Sequence, residues 1–258
     1  MVLTIDLGNS QVVAGIFVEQ RLLGVWRLDT DRQKTADDYG VLFSSLLAED
    51  GINVQNISGC IMSSVVPQMT PTFERMVRSF FHQPLAVVSS NFPHGLILRY
   101  DNPAQIGIDR LVNAAAAFDR YRCRSIIVDF GTATTFCAIT EDGQYLGGAI
   151  APGLKSAAHS LFHQTANLPL VDLLPPKAVI GTNTVAGLQA GLIFGHTGLV
   201  DELVTRIRGE IGKEAFVVAT GGLASVIAPI SRTIQEVRPN LTLEGLELLY
   251  RRMNLRCG

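Results

Sequence analysis

Residues 126–139 read Ile126-Ile127-Val128-Asp129-Phe130-Gly131-Thr132-Ala133-Thr134-Thr135-Phe136-Cys137-Ala138-Ile139, and this stretch decides the fold. An apolar run rich in β-branched residues leads to an aspartate, a glycine and a cluster of hydroxyl side chains. A second apolar run follows directly. The pattern predicts two buried strands joined by a polar turn, with the aspartate at the end of the first strand.

The same arrangement occurs near the N-terminus as Leu3-Thr4-Ile5-Asp6-Leu7-Gly8-Asn9-Ser10-Gln11-Val12-Val13. An offset of 123 positions relates Asp6 to Asp129 and Gly8 to Gly131, and it also relates Gly24 to Gly147. The register therefore holds without insertion through the hairpin that follows each aspartate. We interpret the two stretches as one supersecondary unit that is used twice, once in each half of the chain.

A turn of this composition suits the phosphates of a nucleotide. Glycine lets backbone amides approach an anion closely because it has no Cβ, and the neighbouring polar side chains add further donors. An aspartate just before the turn would repel phosphate, so it is useful there only if a cation lies between the two groups. One copy alone is typical of an ordinary hairpin with a polar turn. Two copies in register favour phosphate binding.

The composition limits the class of protein. Of the 258 residues, 47% are hydrophobic and 17% are charged, and the net charge is −2, so a globular chain is predicted. There is no basic cluster and no apolar run of about 18 residues, which argues against nucleic acid and membrane as partners. The cysteines, which form no CxxC pair, favour a reducing, cytoplasmic location; they are Cys60, Cys123, Cys137 and Cys257. Cys60 and Cys137 lie in apolar runs and are expected in the core.

Strands and helices alternate along the chain, which indicates an α/β fold with partly parallel pairing. The predicted elements of the first half are strands over 57–66 and 85–88 and helices over 36–49 and 70–81. Those of the second half are a helix over 185–195, another after Thr197, a strand over 216–220 and a closing helix from Leu241. We expect two domains, 1–118 and 119–258.

Asp109 lies in the first turn of a predicted alanine-rich helix, and its position has two interpretations. An acid there is often a cap or a partner of the helix dipole, worth about 0.5–1 kcal/mol. Alternatively, the helix N-terminus keeps the carboxylate ionised, so that it can accept a proton from a substrate hydroxyl as a general base.

Further motifs accompany the two aspartate turns. In chain order they are Ser64-Val65-Val66-Pro67, Tyr100-Asp101-Asn102-Pro103, Gly107-Ile108-Asp109-Arg110-Leu111-Val112-Asn113, Gly148-Ala149-Ile150-Ala151-Pro152-Gly153, Gly181-Thr182-Asn183-Thr184, Thr220-Gly221-Gly222 and Leu241-Thr242-Leu243-Glu244-Gly245-Leu246. Over essentially the whole chain, this series resembles the type III pantothenate kinases of the acetate kinase/sugar kinase/Hsp70/actin superfamily. The resemblance implies two actin-like (ribonuclease H-like) domains with mixed sheets flanked by helices. It also implies duplicated βββαβα-type units and a nucleotide in the cleft.

The resemblance implies an activity and its cofactors. The activity is ATP-dependent phosphorylation of pantothenate to 4′-phosphopantothenate, the first step of coenzyme A biosynthesis. Mg²⁺ would accompany ATP, and a monovalent cation, K⁺ or NH₄⁺, would bind as well. Members of the family are typically homodimers in which the substrate pocket is completed at the dimer interface.

The resemblance also implies roles for individual residues. Asp109 corresponds to the catalytic base, Asp6 to a residue near Mg²⁺ and Asp129 to the ligand of the monovalent cation. The implied ATP contacts are Asp6, Gly8, Asn9, Ser10, Gln11, Val12, Val13, Thr132, Gly221 and Gly222. The implied pantothenate contacts are Tyr100, Gly107, Ile108, Asp109, Arg110 and Thr184.

Two positions depart from the family pattern. Ser10 stands where threonine is common, and Cys137 stands where aspartate is expected, which removes a charge near the second turn. Two other functions therefore stay open: a superfamily kinase for another small hydroxylated substrate, and a homologue acting as a non-catalytic accessory or regulatory factor.

Overall fold

The computed structural model describes residues 1–255, so Cys257 lies outside the described part of the chain. Contacts divide the chain into two compact units. Among the described residues, unit 1 comprises Met1–Gly95, Asn102–Ala116 and 242–255, and unit 2 comprises Leu96–Asp101 and Ala117–Leu241. Within residues 1–255, no helix has both the length and the apolar character needed to cross a membrane.

Unit 1 is built on a five-stranded mixed sheet with the strand order β3-β2-β1-β4-β5. The strands are β1 (Val2–Leu7), β2 (Gln11–Val18), β3 (Arg21–Asp29), β4 (Gly59–Ser64) and β5 (Leu85–Val87). Strand β1 pairs antiparallel with β2 and parallel with β4, so it lies at the centre of the sheet. This placement explains why residues 2–7 are apolar apart from Thr4 and Asp6.

The helices of unit 1 follow the apolar pattern of the sequence. They are α1 (Ala36–Glu49), α2 (Thr70–Met76, continued by a π-helical turn over Val77–Phe81) and the first part of α3 (Ile108–Tyr121). Thr35 and Asp38 form a capping box that starts α1 at the predicted residue. Tyr39, Phe43 and Phe73 are fully buried in the core of this unit, where a Phe→Ala change costs about 3–5 kcal/mol.

Unit 2 repeats the arrangement on a six-stranded sheet with the order β11-β10-β7-β8-β9-β6. Its strands are β6 (Ile97–Leu98), β7 (Ser125–Phe130), β8 (Ala133–Ile139), β9 (Gln144–Pro152), β10 (Phe216–Thr220) and β11 (Glu236–Val237). Its helices are the end of α3, α4 (Leu154–Gln164), α5 (Thr184–Ile211) and α6 (Ala224–Ile227). The closing helix of the chain is α7 (Leu241–Leu255).

The predicted duplication is confirmed. In both units an antiparallel three-stranded meander begins with an aspartate-terminated strand, and a later strand pairs parallel with that first strand. Cys60 and Cys137 are buried, as expected for core thiols.

Two features differ from the expectation. Helix α5 is one continuous helix, where two had been predicted on either side of Thr197. Gly195 and Gly198 face open space, and a glycine in a helix costs about 1 kcal/mol relative to alanine, which is not enough to end this helix. Buried residues such as Ile193 and Val200 continue its apolar stripe through this region.

The second difference concerns which segments join which unit. Residues 96–101 belong to unit 2 because β6 pairs with β9, and α7 belongs mainly to unit 1. The side chain of Thr242 on α7 donates to the Asn113 side chain on α3 at 2.8 Å, and Gly245 allows α7 to approach Val112 closely. A single division at residue 118 does not describe these exchanges.

Candidate active site

The first group of candidate residues surrounds Asp6, at the end of β1. Because β1 and β4 are parallel, Ser63 is the register partner of Asp6 on the neighbouring strand. The buried Ser63 hydroxyl donates to Oδ1 of Asp6 at 2.7 Å. Ser63 was not identified from the sequence, since nothing local indicates which residue of β4 lies beside the aspartate.

The turn after Asp6 is held by backbone contacts and by Thr30. The Gly8 amide donates to the Gln11 carbonyl at 3.0 Å, and a Cβ on Gly8 would lie 2.9 Å from that carbonyl. The Thr30 hydroxyl donates to the Gly8 carbonyl at 2.8 Å, and the Thr30 amide donates to the Ser10 carbonyl at 3.0 Å. Asn9, Ser10 and Gln11 are exposed, so their polar groups are accessible to a ligand.

The residues after the turn serve the core more than the site. Val12 is fully buried in the core of unit 1, and Val13 is half-buried as the register partner of Asp6 on β2. Only backbone atoms of Val12 could therefore contact a nucleotide.

Asp109, in the first turn of α3, lies close enough to Asp6 for their charges to interact. Its Oδ1 accepts a hydrogen bond from the Arg110 amide at 2.8 Å, so the local contact expected of an N-terminal acid is present. A Cβ on Gly107 would lie 2.6 Å from the same oxygen, which explains the glycine at this position. Ile108 is half-buried and Arg110 is buried.

The electrostatics of this pair are unfavourable for two anions. The pKa of Asp6 is raised from 3.8 to about 7, chiefly by burial and also by the charge of Asp109, while the hydrogen bond from Ser63 lowers it in part. Burial also raises the pKa of Asp109, against the lowering effects of the Arg110 amide and guanidinium. A bound cation would relieve the cost of ionising both carboxylates.

The donor set fits a hard divalent cation that arrives with phosphates. Mg²⁺ in nucleotide sites is usually held by one or two carboxylates, substrate phosphates and waters. Within residues 1–255, no group of three or more His, Cys, Asp or Glu side chains is arranged to hold a metal ion unaided. The carboxylates of Asp6 and Asp109 therefore suit an ion that completes its coordination with the phosphates of a nucleotide.

The second group of candidate residues lies in unit 2, around Asp129 at the end of β7. Gly221, in the turn after β10, has a φ of +89°, and a Cβ there would lie 2.5 Å from Oδ1 of Asp129. The diglycine turn and this aspartate, 92 positions apart in the sequence, are thus in direct contact. Gly222 is exposed.

The N-terminal end of α4 contacts the turn after Asp129 and holds it in place. The Ser156 hydroxyl donates to the Thr132 carbonyl at 2.7 Å, and Gly153 packs directly against the same carbonyl. Thr132 itself is exposed. Ser156 is a second residue that sequence reasoning missed; it lies three residues after Gly153, in the first turn of α4.

A cavity of about 640 Å³ opens beside the diglycine turn. Its volume is within the range of small-molecule sites. Its lining is mainly apolar, with a lysine and a histidine from α4 among it; the residues are Lys155, Ala158, His159, Leu170, Val171, Asp172, Leu173, Leu174, Leu223 and Val226.

The remaining candidate residues of unit 2 are Tyr100 and Thr184, which were expected to contact pantothenate. Tyr100 packs beside Gly147, where a Cβ would lie 3.2 Å from the tyrosine ring, and its ring centroid is 6.2 Å from that of Tyr145. Thr184 is exposed at the first position of α5, which is capped by the side chain of Asn183.

Cys137, the departure from the expected aspartate, is buried in β8. Its Sγ lies 3.5 Å from the Tyr145 hydroxyl, and its register partner on β7 is Ile127. A neutral thiol suits this interior position, whereas a carboxylate there would need a compensating partner.

Comparisons with known proteins agree with this architecture. A family model described as type III pantothenate kinase matches residues 2–206. The chain belongs to the type III pantothenate kinase family. A type III pantothenate kinase from Geobacter sulfurreducens is 47% identical over 252 residues, which cover 98% of this chain and 99% of that protein. One from Geotalea uraniireducens is 48% identical over 252 residues, covering 98% of each.

Solved structures support the fold of the family. A Baf family protein from Campylobacter jejuni superposes with a TM-score of 0.58 at 18% identity, covering 98% of this chain and 99% of that chain. A ROK family glucokinase from Streptomyces griseus, solved with glucose and AMPPNP, gives a TM-score of 0.51 at 14% identity, with coverage of 96% and 99%. This chain thus shares its fold with a sugar kinase, as the resemblance implied.

Proposed function

We propose that this chain is an enzyme that transfers the γ-phosphoryl group of ATP to pantothenate, giving 4′-phosphopantothenate in the first step of coenzyme A biosynthesis. Membership of a family of pantothenate kinases supports the substrate and the reaction class. The observation that carries the chemistry is the approach of the Asp6 and Asp109 carboxyls, because a cation ligand and a proton acceptor must be neighbours in a kinase.

In the proposed reaction, Asp109 is the general base. The primary hydroxyl oxygen of pantothenate attacks the γ-phosphorus in line and its proton passes to an Asp109 carboxylate oxygen. The bond between the γ-phosphorus and the β–γ bridging oxygen breaks, and ADP leaves with that oxygen. The raised pKa of Asp109 makes its ionised form a stronger proton acceptor.

Charge neutralisation and positioning supply most of the remaining rate enhancement. Family membership implies ATP with a divalent metal ion, and we propose Mg²⁺ near Asp6. When bound, Mg²⁺ neutralises phosphate charge. The amides and polar side chains of residues 8–13 would hold the phosphates, with Ser63 and Thr30 fixing the carboxylate and the turn.

In unit 2 we propose K⁺ or NH₄⁺ at Asp129, with Thr132 and the Gly221–Gly222 turn as further nucleotide contacts. The contact between Gly221 and Asp129 supports a common role for these residues. The neighbouring cavity has apolar walls formed by residues such as Leu223 and Val226, which suit the flat face of a base.

We assign pantothenate recognition to Arg110, with Tyr100, Gly107, Ile108 and Thr184 as further contacts. A guanidinium binds a carboxylate through two parallel hydrogen bonds, which matches the carboxylate of pantothenate. A cytoplasmic homodimer completes the proposal, consistent with the exposed apolar side chains of Ile150, Phe162 and Ile180.

A coupled assay of ADP release tests the function. Purified protein with ATP, Mg²⁺, K⁺ and pantothenate should release ADP, and Asp109→Asn should remove most of this activity. A panel of sugars and short carboxylic acids serves as the control. Equal turnover with a panel compound would assign another substrate, and nucleotide binding without any ADP release would favour an accessory function.

A further inference from the structure

Helix α5 carries a buried histidine whose ring reaches the second aspartate turn. His196 is 7% exposed, and its Nε2 lies 2.9 Å from Oγ1 of Thr134, which is fully buried on β8. Its ring centroid is also 6.1 Å from that of Phe130, the residue that follows Asp129 on β7. One side chain therefore contacts both strands of the hairpin.

These contacts are located at the base of the turn. Phe130 and Thr134 are register partners, and they are the last pair of β7 and β8 before the turn at Gly131 and Thr132. The hydrogen bond to Thr134 and the ring contact with Phe130 join the base of the hairpin to α5, so they restrict how far the hairpin can move relative to this helix. Asp129 lies directly before this pair on β7, and Thr132 lies in the turn that the pair closes.

The histidine is suited to a fixed contact. Burial lowers the pKa of His196, so the ring is neutral at neutral pH and can accept from or donate to the threonine hydroxyl without a buried charge. Breaking such a contact leaves a buried polar group without a hydrogen bond, which destabilises the ordered form of the hairpin relative to a locally opened form by about tenfold in the equilibrium constant.

We propose that His196 is a positioning residue for nucleotide binding: its hydrogen bond to Thr134 ties the Asp129–Thr135 turn to helix α5. The inference rests on the proposed function in so far as this turn is assigned to the nucleotide. It goes beyond that function because His196 lies outside the residues that would contact a ligand and 61 positions after Thr135 in the sequence.

The test compares His196→Leu with His196→Gln, whose side-chain amide can reach the position of the imidazole Nε2. For His196→Leu we expect binding of AMPPNP with Mg²⁺ to weaken about tenfold, and amide exchange of residues 131–135 to accelerate by a similar factor. His196→Gln should restore both to within about threefold of wild type. The KM for pantothenate should change less than about twofold in either variant.

Thr134→Val tests the other partner of the hydrogen bond. It should reproduce the loss caused by His196→Leu, and the double variant should be little worse than either single variant. The matched control is Thr197→Val, which removes a buried hydroxyl that donates within α5 to the Ile193 carbonyl at 2.8 Å. The control should leave AMPPNP binding and exchange of residues 131–135 unchanged.

The outcomes separate this inference from the proposed function. Unchanged AMPPNP affinity and unchanged exchange at 131–135 in His196→Leu would overturn the positioning role, even if pantothenate is phosphorylated. An equal effect of Thr197→Val would overturn it as well, since general loosening of α5 would then explain the result. If wild type binds AMPPNP but does not phosphorylate pantothenate, the expected variant pattern still supports the positioning role while the proposed function fails. A wild-type protein that binds no AMPPNP would overturn both.

Discussion

Asp6→Asn should make the ligand-free protein more stable at pH 8 while removing its activity. In the folded protein the pKa of Asp6 is about 7, compared with 3.8 in an unfolded chain. Each pKa unit corresponds to about 1.4 kcal/mol, so ionising Asp6 at pH 8 costs the folded state up to about 4 kcal/mol. The amide is neutral, and it can still accept the hydrogen bond from Ser63.

The sign of the pH dependence follows from the direction of this shift. Between pH 3.8 and 7 the folded state binds a proton at Asp6 that the unfolded state lacks, so the wild-type protein loses stability as the pH rises through this window. At pH 5 the Asp6 carboxyl is protonated in the folded state and ionised in the unfolded state. The cost to the folded state is then only the free energy of protonating a carboxyl of pKa 3.8 at pH 5, about 2 kcal/mol. The advantage of Asp6→Asn should therefore shrink by about half between pH 8 and pH 5.

The assay is urea unfolding with EDTA and without nucleotide, with the free energy of unfolding compared at both pH values. Hydrogen exchange of the β1 amides assigns the change to unit 1. Glu49→Gln is the matched control, because it converts an exposed carboxylate of the same unit to an amide and should change stability by less than about 0.5 kcal/mol. A variant no more stable than wild type at pH 8 would refute the argument that the Asp6 carboxylate is held at an energetic cost.

Three further substitutions and one control substitution test the candidate site. Asp109→Asn should lower turnover by about 10²–10⁴-fold in the ADP-release assay with nucleotide affinity retained, whereas near-wild-type turnover would leave Asp109 only its contact with the Arg110 amide. Asp129→Ala should abolish activation by K⁺, and an unchanged K⁺ titration of activity would contradict the assignment. Gly221→Ala, which needs a strained backbone and contacts Asp129, should weaken ATP binding and lower stability by about 1–3 kcal/mol in calorimetry and urea unfolding. Gly222→Ala is the control, because a Cβ at position 222 would point into open space and should preserve stability. Equal losses of stability in the two glycine variants would refute the reasoning.

Much of the fold could be predicted because its signals are local. The apolar runs before Asp6 and Asp129 predicted strands β1 and β7, and the constant offset between the two runs predicted the repeated meander. Helix α1 begins at Ala36 as predicted, since the residues of its capping box are adjacent in the sequence.

The exchange of segments between the units could not be predicted in this way. Pairing of residues 97–98 with β9 and packing of α7 on α3 depend on contacts between distant parts of the chain. Local propensity and periodicity carry no information about such partners. The same reason explains why Ser63, Ser156 and His196 were missed, because each acts on a residue at least 24 positions away.

The duplication nevertheless contains a signal for one of these residues. Ser63 is the parallel register partner of Asp6, and Thr220 is the parallel register partner of Asp129. Each aspartate thus has a hydroxyl residue at the same relative position of its sheet, although 57 positions separate the first pair and 91 the second. A constant offset cannot detect this correspondence, since the segments between the strands differ in length.

The physical reason for a hydroxyl at this position is clearest in unit 1. A carboxylate at the end of a central strand loses hydration, and a neighbouring donor recovers part of the cost of its ionised form. Ser63 does this for Asp6 at 2.7 Å, and its hydrogen bond lowers a pKa that burial and Asp109 raise. An alanine at position 63 would leave both raising effects unopposed, so less of the carboxylate would be ionised and able to bind a cation at neutral pH. The serine is therefore part of the site's electrostatics, although it need not touch any ligand.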